Sequence, residues 1–562
     1  MKMKNTSCMM RTLSLILCLL LALNLSALAE GGDFPDGEEE FPVEGDAAAV
    51  EGDYAAYEND AQTADPVYGS YNPGVDMENA DLVIGYVASP GASMHPGTCT
   101  ELSLISINQL MYESLVDLDE SMKPVPMLAD SWEQDGKVWT FNLRPGVRFH
   151  NGIELTAYDV VQSYQALMTS SADNPWFSRL ATIWSMDAVD ILKVRVEGTT
   201  AGLATLYAMN FPVMQYQTLG ELYPRGTGPY WFIQRDSQDT IRLEANPLWW
   251  KVQPGLQSLI FKRFDEASDA IEAVHTNKVG MISTHSPKAA FSRKLADLAS
   301  MDYTTLTYEM LVPNLSEKSM MADIRARQCV MYAVDRAVLA SNAYLDMAIQ
   351  CEVPLPPTSW LYESQSAYYY YSPERALQLM YDLGWRDLTG NGRLNQVVGV
   401  MLKEPTITII TYNESTNSIR ENAAKLIAAY LDAIGFRCTV RTYSQARCRE
   451  LIKQRAFDLA LVAVNMSEVP SLMPMFGRQE TLNLNGFGNE KMQDLLERAR
   501  ETSDETTLKA IYSEIQLYIV QRLPILGLVF RTGTVLANRP MGGMSALRSY
   551  DVFNGLEFLK VE

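Results

Sequence analysis

The region that most constrains the fold is 406–464, where strand-like and helix-like patterns alternate along the chain. Ser418 with Glu421 predicts a capping box for the first helix, and Gly435 stands where that helix should end. The order β-α-β-α-β implies a parallel sheet with right-handed crossovers, so the predicted fold class is α/β. The predicted elements are a strand at 406–412, a helix to 434, a strand at 436–442, a short helix to about 455 and a buried strand at 457–464.

Polar side chains follow two of these strands at the point where each strand ends. Asn413 and Glu414 follow the first strand, and Asn465, Ser467 and Glu468 follow the last one. In open parallel sheets ligands collect beyond the carboxyl ends of the strands. We therefore predict a ligand-binding site formed by these five side chains.

The net charge of the 562-residue chain is −22, but it is concentrated in one segment. The region 30–122 holds 21 Asp and Glu and no Lys or Arg, whereas 123–562 is nearly balanced at −4. Nucleic-acid binding needs a cationic surface, so the composition argues against a nucleic-acid partner. A hydrophobic content of 47% with 20% charged residues is ordinary for a packed globular protein.

The amino terminus has the pattern of a secretory signal peptide over 1–29. Basic residues precede an apolar run at 13–25, and Ala27 and Ala29 occupy the small-residue positions of a cleavage site. We expect export to the cell surface, the extracellular space or the periplasm. An uncleaved membrane anchor and lipidation at Cys18 are the alternatives. The acidic segment 30–78 that follows cannot bury enough apolar surface to fold, so it is predicted to be a disordered linker.

Nothing in the sequence indicates catalysis, a metal site or a cofactor. No GxSxG, P-loop or GxGxxG motif occurs, and no HxxxH or HExxH pairing joins the four histidines. Residues 387–392 resemble the start of a calcium loop but lack its Glu at position 12, which predicts a Gly-rich turn. An odd number of cysteines follows the signal peptide, and the sequence leaves their pairing open: Cys99, Cys329, Cys351, Cys438 and Cys448.

A long series of motifs resembles the family 5 extracellular solute-binding proteins, the peptide and nickel receptors of ABC importers. The motifs occur in the family's order over about 480 residues, which makes the resemblance far more specific than a single short motif. They are 110–119, 126–133, 139–152, 155–161, 226–230, 246–250, 325–336, 384–385, 431–435, 457–461 and 523–525.

The resemblance implies a type II (cluster C) periplasmic-binding-protein-like fold. Two α/β lobes and a third, accessory lobe would be joined by a hinge, with the ligand in the cleft between the first and third lobes. The implied ranges are 79–112, 210–305 and 526–562 for lobe I, 113–209 for the accessory lobe II, and 306–525 for lobe III.

The resemblance also implies roles for individual residues. Peptide-binding members hold the α-ammonium with an Asp in the loop after the 457–464 strand, and Ser467 or Glu468 stands there in this chain, where the family's Trp is absent. The alternative for Glu468 is a solvated loop carboxylate. Trp360 and Tyr362 lie in a segment that is near the ligand in the family, and packing between lobes is their alternative.

The function implied by the resemblance is a receptor that captures a peptide or similar small solute by hinge closure. It would deliver that ligand as a monomer to an ABC permease and its ATPase, with membrane contact only through the permease or an anchor. An exported hydrolase and a transporter-independent sensor or adhesin on the same fold are the alternatives. The hydrolase would need a nucleophile–base pair or a metal cluster, and the sequence has neither.

Overall fold

A computed structural model describes residue 72 and the ranges 74–171, 173–414 and 417–560. These residues belong to one folded unit, which spans Asp65–Glu562. The predicted signal peptide, its anchor and lipid alternatives, and nearly all of the predicted acidic linker lie outside the described residues. None of the helices in the described ranges is both long enough and apolar enough to cross a bilayer.

The described residues form nineteen strands. In chain order they are β1 (Leu82–Val87), β2 (Val116–Leu118), β3 (Pro124–Pro126), β4 (Ala129–Asp135), β5 (Val138–Leu143), β6 (Ile183–Asp190), β7 (Lys193–Gly198), β8 (Tyr230–Arg235), β9 (Ile241–Ala245), β10 (Ser258–Phe264), β11 (Met281–Thr284), β12 (Ala299–Pro313), β13 (Ala348–Gln350), β14 (Gln396–Val398), β15 (Met401–Lys403), β16 (Thr406–Tyr412), β17 (Arg437–Tyr443), β18 (Leu459–Asn465) and β19 (Leu526–Ala537).

Helices connect and cover these strands. The α-helices are α1 (Leu102–Gln109), α2 (Ala157–Thr169), α3 (Phe177–Leu180), α4 (Ala204–Ala208), α5 (Ala267–His275), α6 (Ala289–Ser292), α7 (Ile324–Ala333), α8 (Arg336–Val338), α9 (Pro373–Asp382), α10 (Ile419–Ala433), α11 (Gln445–Lys453), α12 (Met473–Phe476), α13 (Glu490–Glu501) and α14 (Glu505–Arg522). Short 3₁₀ segments occur at Tyr216–Thr218, Met320–Ala322, Ser364–Ser366 and Leu556–Phe558, and a π-helical turn at Leu339–Ala343.

An eleven-stranded mixed sheet organises the fold. Its order is β17-β16-β18-β12-β19-β11-β1-β10-β9-β8, and β13 also pairs with β19. The β-α-β-α-β prediction is confirmed, because β16 pairs in parallel with both β17 and β18. Strand β18 is buried over most of its length, as its continuous apolar sequence predicts for a strand covered on both faces.

The predicted capping box at the start of α10 is wrong, although the helix itself is confirmed. Ser418 has φ −107° and ψ 15° rather than the extended conformation of an N-cap, and its side chain makes no capping bond. The side-chain oxygen of Asn417 accepts a hydrogen bond from the backbone N–H of Ile419 instead, at 3.0 Å. The helix is followed, as predicted, by Gly435 in a left-handed conformation with φ +97°.

A separate four-stranded antiparallel sheet has the order β4-β5-β7-β6 and packs against α2. Helix α2 starts with a capping box, in which the Asp159 carboxylate accepts hydrogen bonds from the backbone and hydroxyl of Thr156. All of these elements lie within 113–209, the range predicted for the accessory lobe.

The long antiparallel strands β12 and β19 run through the centre of the large sheet, and the register of their pairing shifts at two places. The wider of the two interruptions lies near the middle of β12. Thr304 pairs with Thr532 and Tyr308 pairs with Phe530, so 305–307 lie opposite Arg531 alone. On one side of this bulge β19 pairs with β11, and on the other side β12 pairs with β18. A bulge bends a strand and interrupts its hydrogen-bond ladder. The two halves of the sheet therefore meet where this ladder is locally broken.

The predicted limit between 210–305 and 306–525 falls within this bulge. The lobe ranges themselves remain predictions.

All five described cysteines are free, and four of them are buried, whereas Cys438 is half-buried. The stability of this part of the chain therefore comes from packing and polar contacts rather than from disulfides.

Gly527 in β19 tests how tightly the central strands pack. A Cβ at this position would overlap the Tyr308 hydroxyl and the backbone carbonyl of Glu352. We expect Gly527→Ala to lower the free energy of unfolding by about 1–3 kcal/mol, the usual cost of overpacking. Gly542→Ala is the matched control, because a Cβ there meets no atom within 4 Å. Urea denaturation checks this, and equal midpoints for the two variants would contradict it.

Candidate functional site

Two cavities adjoin at the bulge in β12. Cavity A, of about 380 Å³, is lined by Glu120, Met122, β12, Glu468 and the chain around Arg548. Cavity B, of about 330 Å³, is lined by β12 and β18 together with the ends of β1 and β11, Arg531 of β19, the start of α1, 549–550 and 552–553. Both are lined by Tyr303, Thr305, Leu306 and Ser549, so they are adjoining parts of one cleft.

The sequence-predicted residues divide between this cleft and its surroundings. Asn465 lines cavity B, Glu468 lines cavity A, and Ser467 lines a narrow pocket that also borders Glu468. Asn413 is exposed at the end of β16 and lines neither cavity. Whether any of these residues contacts a ligand stays a prediction.

Trp360 and Tyr362 also lie outside the two cavities. The indole N–H of Trp360 donates to the Tyr207 hydroxyl at 2.9 Å, and its backbone N–H donates to the Ser121 carbonyl. The ring therefore packs between the ranges predicted for lobes II and III. Tyr362 is half-buried, and burial raises the pKa of its hydroxyl.

Glu468 forms a buried ion pair that no local sequence pattern predicts. Its carboxylate accepts a hydrogen bond from Arg179 in α3 at 2.9 Å, and the two side chains are only 4% and 6% exposed. Arg179 also lies over the ring of Trp176, with the guanidinium 5.1 Å from the ring centroid. The charge of Glu468 is thus neutralised within the protein, and the solvated-loop alternative does not describe this carboxylate.

Glu309, Glu414, Arg420 and Arg531 form a charge cluster beside cavity B. Glu309 is fully buried on β12 and accepts two hydrogen bonds from Arg420 in α10, at 2.9 and 3.1 Å. Arg531 of β19 contacts both carboxylates, and Glu414 lies 2.8 Å from both guanidiniums. Two positive and two negative charges therefore balance where β16, α10, β12 and β19 meet.

The electrostatics of this charge cluster favour its ionised form. Burial alone would raise the pKa of Glu309, but the neighbouring guanidiniums of Arg531 and Arg420 lower it below its usual value of 4.5. Burial opposes the charge of Arg420, yet the Glu309 carboxylate raises the pKa of this guanidinium. Glu414, a predicted ligand contact, is thus an ion-pair partner in this structure.

The described residues contain no group of three or more His, Cys, Asp or Glu side chains that could hold a metal ion. The 387–392 segment forms the predicted turn. The Asp387 carboxylate accepts hydrogen bonds from the backbone N–H groups of Thr389, Gly390, Asn391 and Gly392. These bonds lower the pKa of Asp387.

Comparison with known proteins identifies the family and the fold. Residues 123–481 match the family model for bacterial extracellular solute-binding proteins, family 5. Heme-binding protein A of Haemophilus influenzae is 25% identical to the chain, over 80% of this chain and 87% of its own length. Oligopeptide-binding protein AppA of Bacillus subtilis is 22% identical, over 86% of this chain and 92% of its own.

Solved structures share the fold at low sequence identity. A nickel ABC transporter protein from Bacillus halodurans is 18% identical with a TM-score of 0.73, covering 85% of this chain and 99% of its own. The ABC transporter substrate-binding protein CtaP from Listeria monocytogenes is 19% identical with a TM-score of 0.70, covering 85% and 98%. The predicted type II periplasmic-binding-protein fold is thereby confirmed.

The Arg179–Glu468 pair can be tested with a double-mutant cycle. We expect Arg179→Met and Glu468→Leu each to lower the free energy of unfolding by about 3–5 kcal/mol, because each leaves one buried charge without a partner. The double variant should lose less than the sum of the two. The exposed pair Arg447–Glu450 is the control, with a coupling below about 1 kcal/mol. Additive losses at 179 and 468 would contradict the pairing.

The charge cluster predicts a dependence of stability on pH. At pH 7 Glu309→Gln should lower the free energy of unfolding by about 3–5 kcal/mol. Because the folded-state pKa of Glu309 is lowered, this contribution is complete above about pH 5 and disappears as the pH falls through the lowered pKa. Urea titrations of both proteins at pH 7 and pH 3 measure this. A difference that is equally large at pH 3 would show that the charge of Glu309 is not its source.

Proposed function

The chain belongs to family 5 of the bacterial extracellular solute-binding proteins, and we propose on this basis that it is the receptor of an ABC importer, which captures a peptide or similar small solute in the cleft beside the bulge. The observation that carries the proposal is the position of the cleft. Cavities A and B lie against the interruption between β12 and β19 and draw their lining from both halves of the large sheet.

The relatives support a small solute but differ in their ligands. Their names specify heme, oligopeptides and dipeptides, and structures of related proteins contain nickel bound to histidine or a nonapeptide. Cavities of about 380 and 330 Å³ fall within the usual size range of small-molecule sites. A di- or tripeptide, or a solute of similar size, would fit this space.

The proposed mechanism is hinge closure. Residues 305–307 and Arg531 form the interruption in the central ladder, so a small change in their backbone angles would rotate one half of the sheet against the other. A ligand that contacts both halves would favour the closed arrangement by the difference between its affinities for the two states.

We further propose that the protein acts outside the cytoplasm as a monomer and passes its ligand to a membrane permease coupled to an ATPase. The family consists of extracellular binding proteins, which supports this location and a non-catalytic role. The predicted signal peptide agrees with export, and the acidic segment after it would separate the body from any anchor.

Native mass spectrometry of freshly purified protein tests the proposal. We expect a small molecule that stays bound in native conditions and is released on denaturation. Leu306 lines both cavities, so Leu306→Trp should fill the cleft and abolish this extra mass. Leu222→Trp is the matched control, because Leu222 is 66% exposed and lines neither cavity.

A solute and peptide library provides the second measurement. We expect at least one compound to raise the melting temperature and reduce the radius of gyration in X-ray scattering of the wild-type protein but not of Leu306→Trp. The proposed function fails if no mass is released and no compound changes either quantity.

A further inference from the structure

Cavity B differs from cavity A in the charged side chains that line it. Among the described residues that line it, none is Asp or Glu, and its charged or titratable members other than Tyr are Arg531 and His285. Glu309 and Glu414, which balance the charge of Arg531, lie outside this lining, so an anion in the cavity would approach the guanidinium more closely than the two carboxylates. Cavity A, in contrast, is lined by Glu120, Asp302 and Glu468 together with Arg548.

Arg531 reaches cavity B although it is paired with two acidic neighbours. Its Nη2 contacts Glu309 and lies 2.8 Å from Glu414, and both Nη2 and Nε are buried. The side chain is 20% exposed and lines cavity B. The exposed part of this side chain is therefore the part that can meet a ligand, while the buried part is held by the two carboxylates.

Two further donors line the same cavity. Ser106 is 1% exposed, and its Oγ is buried without a hydrogen-bond partner. The side-chain oxygen of Asn465 accepts from the Thr307 hydroxyl at 3.0 Å, which leaves the amide nitrogen of Asn465 to donate. A buried hydroxyl without a partner costs stability, and a ligand oxygen at this site would satisfy it.

The acidic groups of cavity A are mostly neutralised by the protein. Glu468 is paired with Arg179, and Asp302 is paired with Arg293. Glu120 is exposed, where interactions with a ligand ammonium are weakened by solvent. Among the described residues that line the cleft, no buried carboxylate is therefore free to bind an amine.

We propose that cavity B binds an oxyanion group of the ligand, a carboxylate or a phosphate, through Arg531, Ser106 and Asn465, and that the ligand needs no free amine. This inference rests on the proposed function, since it assigns the class of solute that the same cleft takes. A guanidinium with neighbouring hydroxyl and amide donors matches the geometry of such oxyanions.

Matched pairs of compounds test this with the full chain by scanning fluorimetry and titration calorimetry. The first panel contains carboxylic acids, including N-acetylated di- and tripeptides, each paired with its primary amide. The second contains phosphate monoesters paired with the parent alcohols, and the third contains free peptides paired with their N-acetyl forms. We expect the loss of the acid or phosphate to weaken binding roughly ten- to a hundredfold, and acetylation of the amine to change it less than about threefold.

Two isosteric variants connect the effect to cavity B. Asn465→Asp places a negative charge in the cavity and should weaken binding of the oxyanion roughly ten- to a hundredfold, while affinity for the neutral amide changes little. Asn413→Asp makes the same substitution at an exposed site outside the cavity and should leave both affinities unchanged.

Ser106→Ala should weaken oxyanion binding without lowering the melting temperature of the free protein, because its hydroxyl has no partner to lose.

The outcomes separate the two proposals. Binding that requires a free amine and tolerates amidation, or equal effects of the two Asp variants, overturns the oxyanion site and leaves the receptor function intact. Absence of binding by every compound, with no small molecule released from the purified protein, overturns the receptor function and this inference with it.

Discussion

The buried contact of Glu309 with Arg420 and Arg531 joins the two central strands to the β-α-β unit beside the proposed ligand cleft. Glu309 lies on β12, Arg531 on β19 and Arg420 on the helix of the β-α-β unit, so one carboxylate connects both central strands to the sheet half that carries Asn465. An ion pair inside a protein is stable only when its charges remain matched. This requirement fixes the position of α10 relative to the bulge and places the Arg531 side chain at the edge of cavity B.

Pairing of acidic groups with Arg side chains also bears on how the proposed cleft could select a ligand in an acidic protein. The net charge of −22 belongs mostly to the segment before Lys123, and within the body Arg179 and Arg293 neutralise acids that line cavity A. The selectivity that we propose would therefore depend on a few side chains of the cleft, of which Arg531 is the charged one in cavity B.

Local patterns in the sequence were sufficient to predict helices and strands, but they could not predict contacts between residues far apart in the chain. The strands at 406–412 and 457–464 and the capping box at Thr156 follow from periodicity and from neighbours within a few residues. The capping residue of α10 was mistaken because Asn417 competes with Ser418 for the same role. The Arg179–Glu468 pair joins residues 289 positions apart, and the bulge opposite Arg531 depends on the register of two distant strands. Neither leaves a local signature, although the position of Glu468 beyond a strand end was visible in the sequence and this residue lines cavity A.

The most direct test of the account is an experimental structure of the protein with the solute that it carries through purification. We expect this solute to occupy the cleft, to touch Leu306 at the bulge, and to place an oxyanion oxygen within hydrogen-bond distance of Arg531. A solute bound elsewhere on the chain, with cavities A and B filled only by water, would contradict it.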